Sequence, residues 1–211
     1  VGTSWATGSA PGRSIPIGEF FIAQPSTAVA DINAALAAGK HLILTPGVYA
    51  LPQAIHVTAP DTVVLGLGFA TLVPQNGNAA LQVDDVDGVQ IAGLIVDAGP
   101  VASPVLMQVG NLPLSGVSHA ADPSTLSDVF FRIGGAAAGS AATSLEVDSN
   151  NVILDNIWAW RADHGNGVGW SQNPADHGLV VNADDVTALG LAVEHYQKNQ
   201  VVWNGNGGET I

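Results

Sequence analysis

Residues 145–163 read LEVDSNNVILDNIWAWRAD, and the same pattern occurs twice more in the chain. Residues 81–99 read LQVDDVDGVQIAGLIVDAG, and residues 179–197 read LVVNADDVTALGLAVEHYQ. Each copy has an L-x-V strand, an Asp- or Asn-rich turn, a Val, and a second apolar residue five positions later. A unit that recurs in this way predicts one coil of a solenoid, in which neighbouring coils pair as parallel strands about 4.8 Å apart.

Short apolar runs between turn residues extend this strand pattern over most of the chain. Because no helical pattern separates them, they predict an all-β fold. A β-sandwich or an up-and-down barrel would instead need hairpin turns, for which Asn76-Gly77 and Asp87-Gly88 are the main candidates. The predicted strands are residues 41–45, 55–58, 62–67, 80–83, 89–96, 105–109, 129–133, 144–147, 152–160, 179–181, 186–193 and 200–203.

One helix precedes these strands, in the segment STAVADINAALAAG at residues 26–39. Ser26 or Thr27 can cap its N-terminus, and Gly39 can end it. The predicted fold is therefore an all-β, single-stranded right-handed parallel β-helix (a solenoid) with an N-terminal capping helix. Residues 1–25 form an irregular lead-in and residues 26–211 the β-helix. Because the last coil reaches Ile211 without a polar cap, we expect the solenoid to continue or a second β-helix to follow.

The charge of the chain limits its partners. Eighteen acidic residues against five Lys and Arg give a formal net charge of −13. This charge disfavours nucleic acid and anionic membrane surfaces, and no apolar run is long enough to span a bilayer. The two Asp-His-Gly sequences at residues 163–165 and 176–178 lack a spacing specific to a metal site, so we expect no metal ion and no cofactor.

Residues 30–72, ADINAALAAGKHLILTPGVYALPQAIHVTAPDTVVLGLGFATL, carry a resemblance to a known family. The helix residues Ile32, Ala35 and Leu36, the loop at residues 45–49 (TPGVY) and the strand end at residues 65–68 (LGLG) are similar to the opening of pectate-lyase-like β-helix proteins. The resemblance includes the secreted β-1,3-glucanases of glycoside hydrolase family 55. The Gly-Asp-rich lead that usually precedes the helix is absent here.

The later segments WAWRADHGNGVGW (residues 158–170) and VEHYQKNQVVWNGNGG (residues 193–208) also resemble large secreted proteins built on this scaffold. The resemblance implies secretion and a polysaccharide or oligosaccharide partner. In the β-1,3-glucanases the catalytic acid lies in a second β-helix, so the resemblance assigns no catalytic residue to this chain.

Candidate site residues are concentrated near the end of the chain, where four of the five Trp residues lie. Strand alternation places Asp97, Trp160 and Glu194 at equivalent outward positions, with Ile95, Trp158 and Ala192 beside them. Indole rings flanked by carboxylates suit sugar rings. The predicted substrate-binding residues are Trp158, Trp160, Arg161, His164, His195 and Trp203. Alternatively, a loop at residues 164–174 covers these Trp residues as part of a small apolar core.

Glu194 is the predicted general acid, because burial near Trp160 would raise the pKa of its carboxyl group. Asp163 is the predicted second catalytic carboxylate, at about 11 Å on an extended strand lattice. We therefore expect a secreted glycoside hydrolase, glucanase-like, acting on a neutral polysaccharide. The alternatives are a noncatalytic carbohydrate-binding or structural β-helix, the noncatalytic half of a larger enzyme, and, third, a polysaccharide lyase that uses Arg161.

Overall fold

The computed structural model of the chain describes residues 12–211 and contains short strands with a single α-helix in that range. The helix α1 spans Val29–Ala37, and a short 3-10 helix spans Ile17–Glu19. The described strands are β1 (Phe20–Ala23), β2 (His41–Leu44), β3 (Val48–Leu51), β4 (Ile55–Val57), β5 (Val63–Pro74), β6 (Leu81–Val83), β7 (Gln90–Asp97), β8 (Ser103–Gly110), β9 (Thr125–Ile133), β10 (Ala141–Asp148), β11 (Ile153–Arg161), β12 (His177–Val181), β13 (Thr187–Leu189), β14 (Ala192–Glu194), β15 (Val201–Trp203) and β16 (Glu209–Thr210).

These strands form two parallel sheets. The first sheet has the order β1-β2-β5-β7-β9-β11-β13-β16, with β3 paired to β5 and β14 paired to β11. The second sheet has the order β15-β12-β10-β8-β6-β4. From β4 onward the chain alternates between the two sheets, except that β13 and β14 both lie in the first, and strands pair with those one coil away. This is the arrangement of a pectate-lyase-like parallel β-helix, and parallel pairing excludes the hairpin-based sandwich and barrel.

The pairing register confirms the sequence repeat. Leu81 pairs with Met107, Met107 with Leu145, and Leu145 with Leu179, and all four side chains are buried. Because side chains alternate along a strand, this register turns one apolar residue from every coil into a continuous interior row. Burying such a side chain contributes about 1.5–3 kcal/mol each, so the stacked rows form the core.

A left-handed residue in each coil bends the first sheet. Gly93, Asp128, Asn156 and Gly190 have positive φ at matching positions, between two paired stretches of each strand. A Cβ at Gly93 would lie 2.6 Å from the carbonyl oxygen of Gly66, so this position needs glycine. The alternation of buried and exposed side chains restarts after the bend, as in β11.

Helix α1 buries Val29, Ile32 and Leu36 and contacts β1, β2 and β4. Its N-cap residue is Ala28, which makes no side-chain hydrogen bond. The prediction that Ser26 or Thr27 caps the helix was wrong, because the Thr27 hydroxyl instead accepts a hydrogen bond from the backbone of Gln24.

Three strands lie outside the predicted set: β1, β3 and β16, the last of which pairs with β13. Strand β1 pairs with β2, so the first sheet begins within the segment predicted to be an irregular lead-in. Residues 1–11 of that segment lie outside the described residues. Strand β3 follows directly from Pro46-Gly47, and its Tyr49 is buried, with its hydroxyl 2.9 Å from the carbonyl oxygen of Ala23. No helix in the described part of the chain is long and apolar enough to cross a membrane.

Candidate functional site

The candidate site lies on the outer surface of the first sheet, after its bend. In β11, Ile157 and Ala159 are buried, whereas Trp158 and Trp160 alternate to the outside. Strand pairing places Asp97, Arg132, Trp160 and Glu194 in one row across four coils. The strand register therefore confirms the prediction that Asp97, Trp160 and Glu194 occupy equivalent positions on their coils.

Five rings form a continuous aromatic row on this surface. Trp158 and Trp160 stack with their centroids 5.5 Å apart and their planes 17° apart. Phe130 contacts Trp158 edge-on, and Phe69 stacks on Phe130. His164 lies against the other end of the row, 5.0 Å from Trp160. Because Trp158 and Trp160 cover one face of each other, a sugar can reach only their edges and remaining faces.

Three titratable groups meet beside this row, and we call Asp163, Glu194 and His195 the exposed trio. Nε2 of His195 lies 3.7 Å from Oδ2 of Asp163 and 3.7 Å from Oε2 of Glu194. The two carboxylate oxygens are therefore at most twice that distance apart, which is closer than the extended lattice predicts. The backbone accounts for this short distance. His195 has a left-handed backbone conformation with positive φ, and Asp163 lies beyond the end of β11, where the extended lattice no longer applies.

The exposed trio lies in solvent. The side chains of Glu194, Asp163 and His195 are 47%, 49% and 46% exposed. The burial expected for Glu194 is thus absent from the structure. A hydrogen bond from His164, at 2.7 Å, lowers the pKa of Asp163, helped by the charge of His195. Asp163 is therefore held as a carboxylate, which is the state that a base requires.

Arg161 lies inside the coil and is 7% exposed. Its guanidinium donates hydrogen bonds to the carbonyl oxygens of Asn173 (2.9 Å), Gly169 (3.1 Å) and His195 (3.3 Å). The exposed ring of Trp170 lies 5.5 Å from this guanidinium. Arg161 therefore holds the loop after β11 and the backbone of the exposed trio, and its burial favours a structural role over contact with a substrate.

Trp203 lies apart from the other candidates. It is in β15 of the second sheet, where it pairs with Val181 and packs against the core. The structure thus brings together Trp158, Trp160, His164 and the exposed trio on one surface, with Arg161 beneath them and Trp203 elsewhere.

An open groove adjoins the aromatic row. Its volume is about 290 Å³, and Asp97 and Arg132 lie in its lining, joined by two hydrogen bonds of 2.7 and 2.8 Å. The other lining residues are small or apolar: Val48, Val73, Ala98, Gly134, Ala136 and Ala137. Because Arg132 pairs with Trp160 across the sheet, the groove continues the candidate site along the solenoid.

Sequence reasoning missed a polar network on the second sheet. Nδ2 of Asn182 lies within hydrogen-bonding distance of both Glu146 (3.0 Å) and Asp148 (2.8 Å), and Gln108 donates to Asp148. Burial and the charge of Asp148 raise the pKa of Glu146. The recurrence of Gln82, Gln108 and Glu146 at one register position was the available signal. Within residues 12–211 no group of three or more acidic, His or Cys side chains is arranged to hold a metal ion.

Comparison with known proteins gives consistent results. Residues 20–211 match the model of the LAM55 pectate lyase-like domain. The chain is 53% identical over 210 residues to a protein named exo-β-1,3-glucanase from Streptomyces sp. (strain SirexAA-E / ActE), covering all of this chain and 34% of that protein.

Two solved structures also match, and both are of sacteLam55A from Streptomyces sp. SirexAA-E, one of them a variant in complex with glucose. Each has a TM-score of 0.96 and 52% identity, covering 99% of this chain and 38% of the solved one. The chain thus spans little more than a third of the length of the relatives that it matches.

Proposed function

The chain belongs to the family of LAM55 pectate lyase-like domains, and from this premise we propose that it serves in the hydrolysis of β-1,3-glucan by a secreted glycoside hydrolase. The observation that carries this proposal is its 53% identity, over the whole chain, to a protein named exo-β-1,3-glucanase. The net charge of −13 supports a neutral glucan and disfavours the polyanionic substrate of a uronate lyase.

For the fold we propose right-handed winding, which parallel strand connections adopt almost without exception. We also propose that α1 caps the solenoid. In support, α1 contacts β1 and β4, which are the end strands of the two sheets. A helix there shields unpaired strand edges from further pairing.

The glucan-binding surface in this proposal is the outer surface of β9, β11 and β14. Edges and free faces of Trp158 and Trp160 pack against the C–H faces of sugar rings. His164 and the exposed trio supply hydrogen bonds to hydroxyl groups. The groove beside Asp97 and Arg132 gives the glucan a path along the solenoid.

Within this surface, Glu194 serves as the general acid and Asp163 as the carboxylate base. Their oxygens lie within twice 3.7 Å of each other, which is below the upper limit of about 9.5 Å for glycosidase carboxylate pairs. His164 keeps Asp163 ionised through its hydrogen bond.

A second candidate function is glucan binding without catalysis by this chain. The exposure of Glu194 favours it, because a carboxyl group in solvent lacks the desolvation that usually prepares a glycosidase acid. In that case the aromatic row positions glucan for groups elsewhere in the protein.

The full-length protein incubated with soluble β-1,3-glucan tests the proposed function. We expect reducing sugar to be released from β-1,3-glucan, with far less from β-1,4-glucan and no ultraviolet-absorbing unsaturated product. Release of that unsaturated product, or the absence of both binding and hydrolysis, would contradict the proposal.

Substitution of Glu194 then separates the two candidates. If Glu194 is the acid, Glu194→Gln lowers kcat by about 100-fold or more, with KM little changed. The matched control is Glu209→Gln, which alters another exposed strand-end glutamate and leaves kcat unchanged. Normal hydrolysis by Glu194→Gln would assign this chain to glucan binding alone.

A further inference from the structure

His119 lies in the connection between β8 and β9, far from the candidate site in sequence. Of residues 111–122 it alone is buried, and its ring is 3% exposed. Nδ1 of the ring lies 2.7 Å from Oδ1 of Asp87, and Nε2 lies 3.0 Å from Oδ1 of Asp85. We call His119, Asp85 and Asp87 the buried trio after its ring; the side chain of Asp85 is 11% exposed, whereas that of Asp87 is 56% exposed.

This geometry determines the protonation state of the ring. A neutral imidazole has one N–H and one nitrogen lone pair. In either tautomer that lone pair would face a carboxylate oxygen at hydrogen-bonding distance, away from water. Only the imidazolium form donates from both nitrogens.

The other attachments of the segment that carries His119 are mainly polar. Leu112, Leu114 and Val117 are exposed, so its apolar side chains add little to the core. Its remaining contacts are polar and lie against two turns. The backbone N–H of His119 donates to Asn151 (2.9 Å), Asn150 donates to the carbonyl of Val117 (2.8 Å), Ser115 bonds Asp85, and the N–H of Gly88 donates to the carbonyl of Asp122 (2.9 Å).

We propose that the imidazolium of His119, held between Asp85 and Asp87, fastens residues 111–124 to the solenoid and releases them when the ring loses its proton. The device is a pH-dependent lock on the connection between β8 and β9. It is independent of glucan binding, because none of its groups belongs to the candidate site.

The charges around the ring favour the locked state. Burial by itself would lower the pKa of His119, but the hydrogen bonds and charges of Asp87 and Asp85 outweigh it and raise the pKa. Farther groups are Asp122 on the same segment, Asp61 in the turn after β4, and Arg13, whose charges act on Asp122. The turn at residues 149–151 offers Ser and Asn, which do not titrate.

The raised pKa of His119 determines the direction of the pH dependence. A raised pKa of His119 means that the lock contributes stability below its unfolded pKa and loses that stability as pH rises through the folded pKa. Hydrogen bonds from Ser115, Ser149 and His119 outweigh burial and lower the pKa of Asp85. Asp85 therefore keeps its charge until the pH falls through its lowered pKa. The lock is closed at pH values between the pKa of Asp85 and that of His119.

Hydrogen exchange of residues 111–124 in the full-length protein tests the lock. From about pH 6 to about pH 9, after correction for the intrinsic exchange rate, we expect exchange to rise at least about tenfold. In His119→Gln, exchange is fast at every pH. The matched control is His56→Gln, which removes an exposed histidine that lies 2.8 Å from the carboxylate of Asp84. We expect exchange of residues 111–124 in this variant to match the wild type at each pH.

A second variant keeps the test decisive if His119→Gln does not fold. Asp87→Asn retains the ring of His119 but removes the more exposed of the two carboxylates beside it. Because the charge of Asp87 raises the pKa of His119, the transition moves to lower pH. Equal protection of wild-type residues 111–124 across the pH range would overturn the proposal. An unmoved transition in Asp87→Asn would overturn it equally.

Discussion

The buried trio and the exposed trio contain the same kinds of group, one histidine between two carboxylates, in different surroundings. In the buried trio both ring nitrogens of His119 contact carboxylate oxygens, at 2.7 and 3.0 Å. In the exposed trio a single nitrogen of His195 lies 3.7 Å from both carboxylates. The His119 ring is 3% exposed, whereas that of His195 is nearly half exposed.

The two groups therefore differ in the burial of their histidine ring and not in composition. Ion pairs in solvent are worth little, because water screens them and the side chains lose entropy when they pair. Charges removed from water interact strongly and are costly to leave unpaired. The buried ring of His119 is therefore suited to holding a segment in place, whereas the groups of the exposed trio are accessible from solvent.

The largest expected effect concerns the support of the exposed trio. Arg161→Met removes a donor from the carbonyls of Asn173, His195 and Gly169, and we expect the free energy of unfolding to fall by about 3 kcal/mol. Urea-induced unfolding measures this change. The control Lys198→Met removes an exposed cation paired with Asp176 and should cost less than about 1 kcal/mol. Equal losses in the two variants would show that Arg161 is not a structural anchor.

The next effect separates the two trios. Asp85→Ala removes an acceptor from the His119 ring and from Ser115, so residues 111–124 should open more easily, by about 2 kcal/mol. Hydrogen exchange at neutral pH gives this opening free energy. Asp163→Ala, the corresponding change in the exposed trio, should leave the exchange of residues 111–124 as in the wild type. A similar effect of both substitutions would remove the distinction between the trios.

The smallest expected effect lies in the aromatic row. Trp158→Ala removes one ring of the stacked pair, and affinity for a β-1,3-gluco-oligosaccharide should fall about fivefold, equivalent to about 1 kcal/mol. Isothermal titration with the full-length protein measures it. Trp170→Ala is the control, because Trp170 is exposed but outside the row. If Trp170→Ala weakened binding more than Trp158→Ala did, the glucan surface would be misplaced.

The sequence predicted the stacking of coils because side-chain alternation and register are local properties. Leu81, Leu145 and Leu179 align by the spacing of the repeat alone, and strand pairing places them in one row. The same alternation that places Trp158 and Trp160 outside places Arg161 inside. The prediction of Arg161 as a sugar ligand was therefore inconsistent with strand alternation. Strand β3 was missed because Pro46-Gly47 is typical of a loop.

The buried trio could not be predicted from the sequence. Asp85 and Asp87 lie in an Asp-rich turn, and such residues usually form turns in solvent. His119 meets them only because the connection between β8 and β9 folds back over that turn, across more than 30 residues of chain. The network of Asn182 with Glu146 and Asp148 was also missed, since Asn182 lies on the coil after the one that carries both carboxylates.

Hydrogen exchange of the full-length protein, with and without a β-1,3-gluco-oligosaccharide, tests most directly the claim that the exposed trio and its aromatic row bind glucan. We predict that the ligand protects residues 158–164 and 192–196 and leaves residues 111–124 unchanged. Protection confined to residues 111–124, or no protection anywhere in residues 12–211, would contradict the assignment.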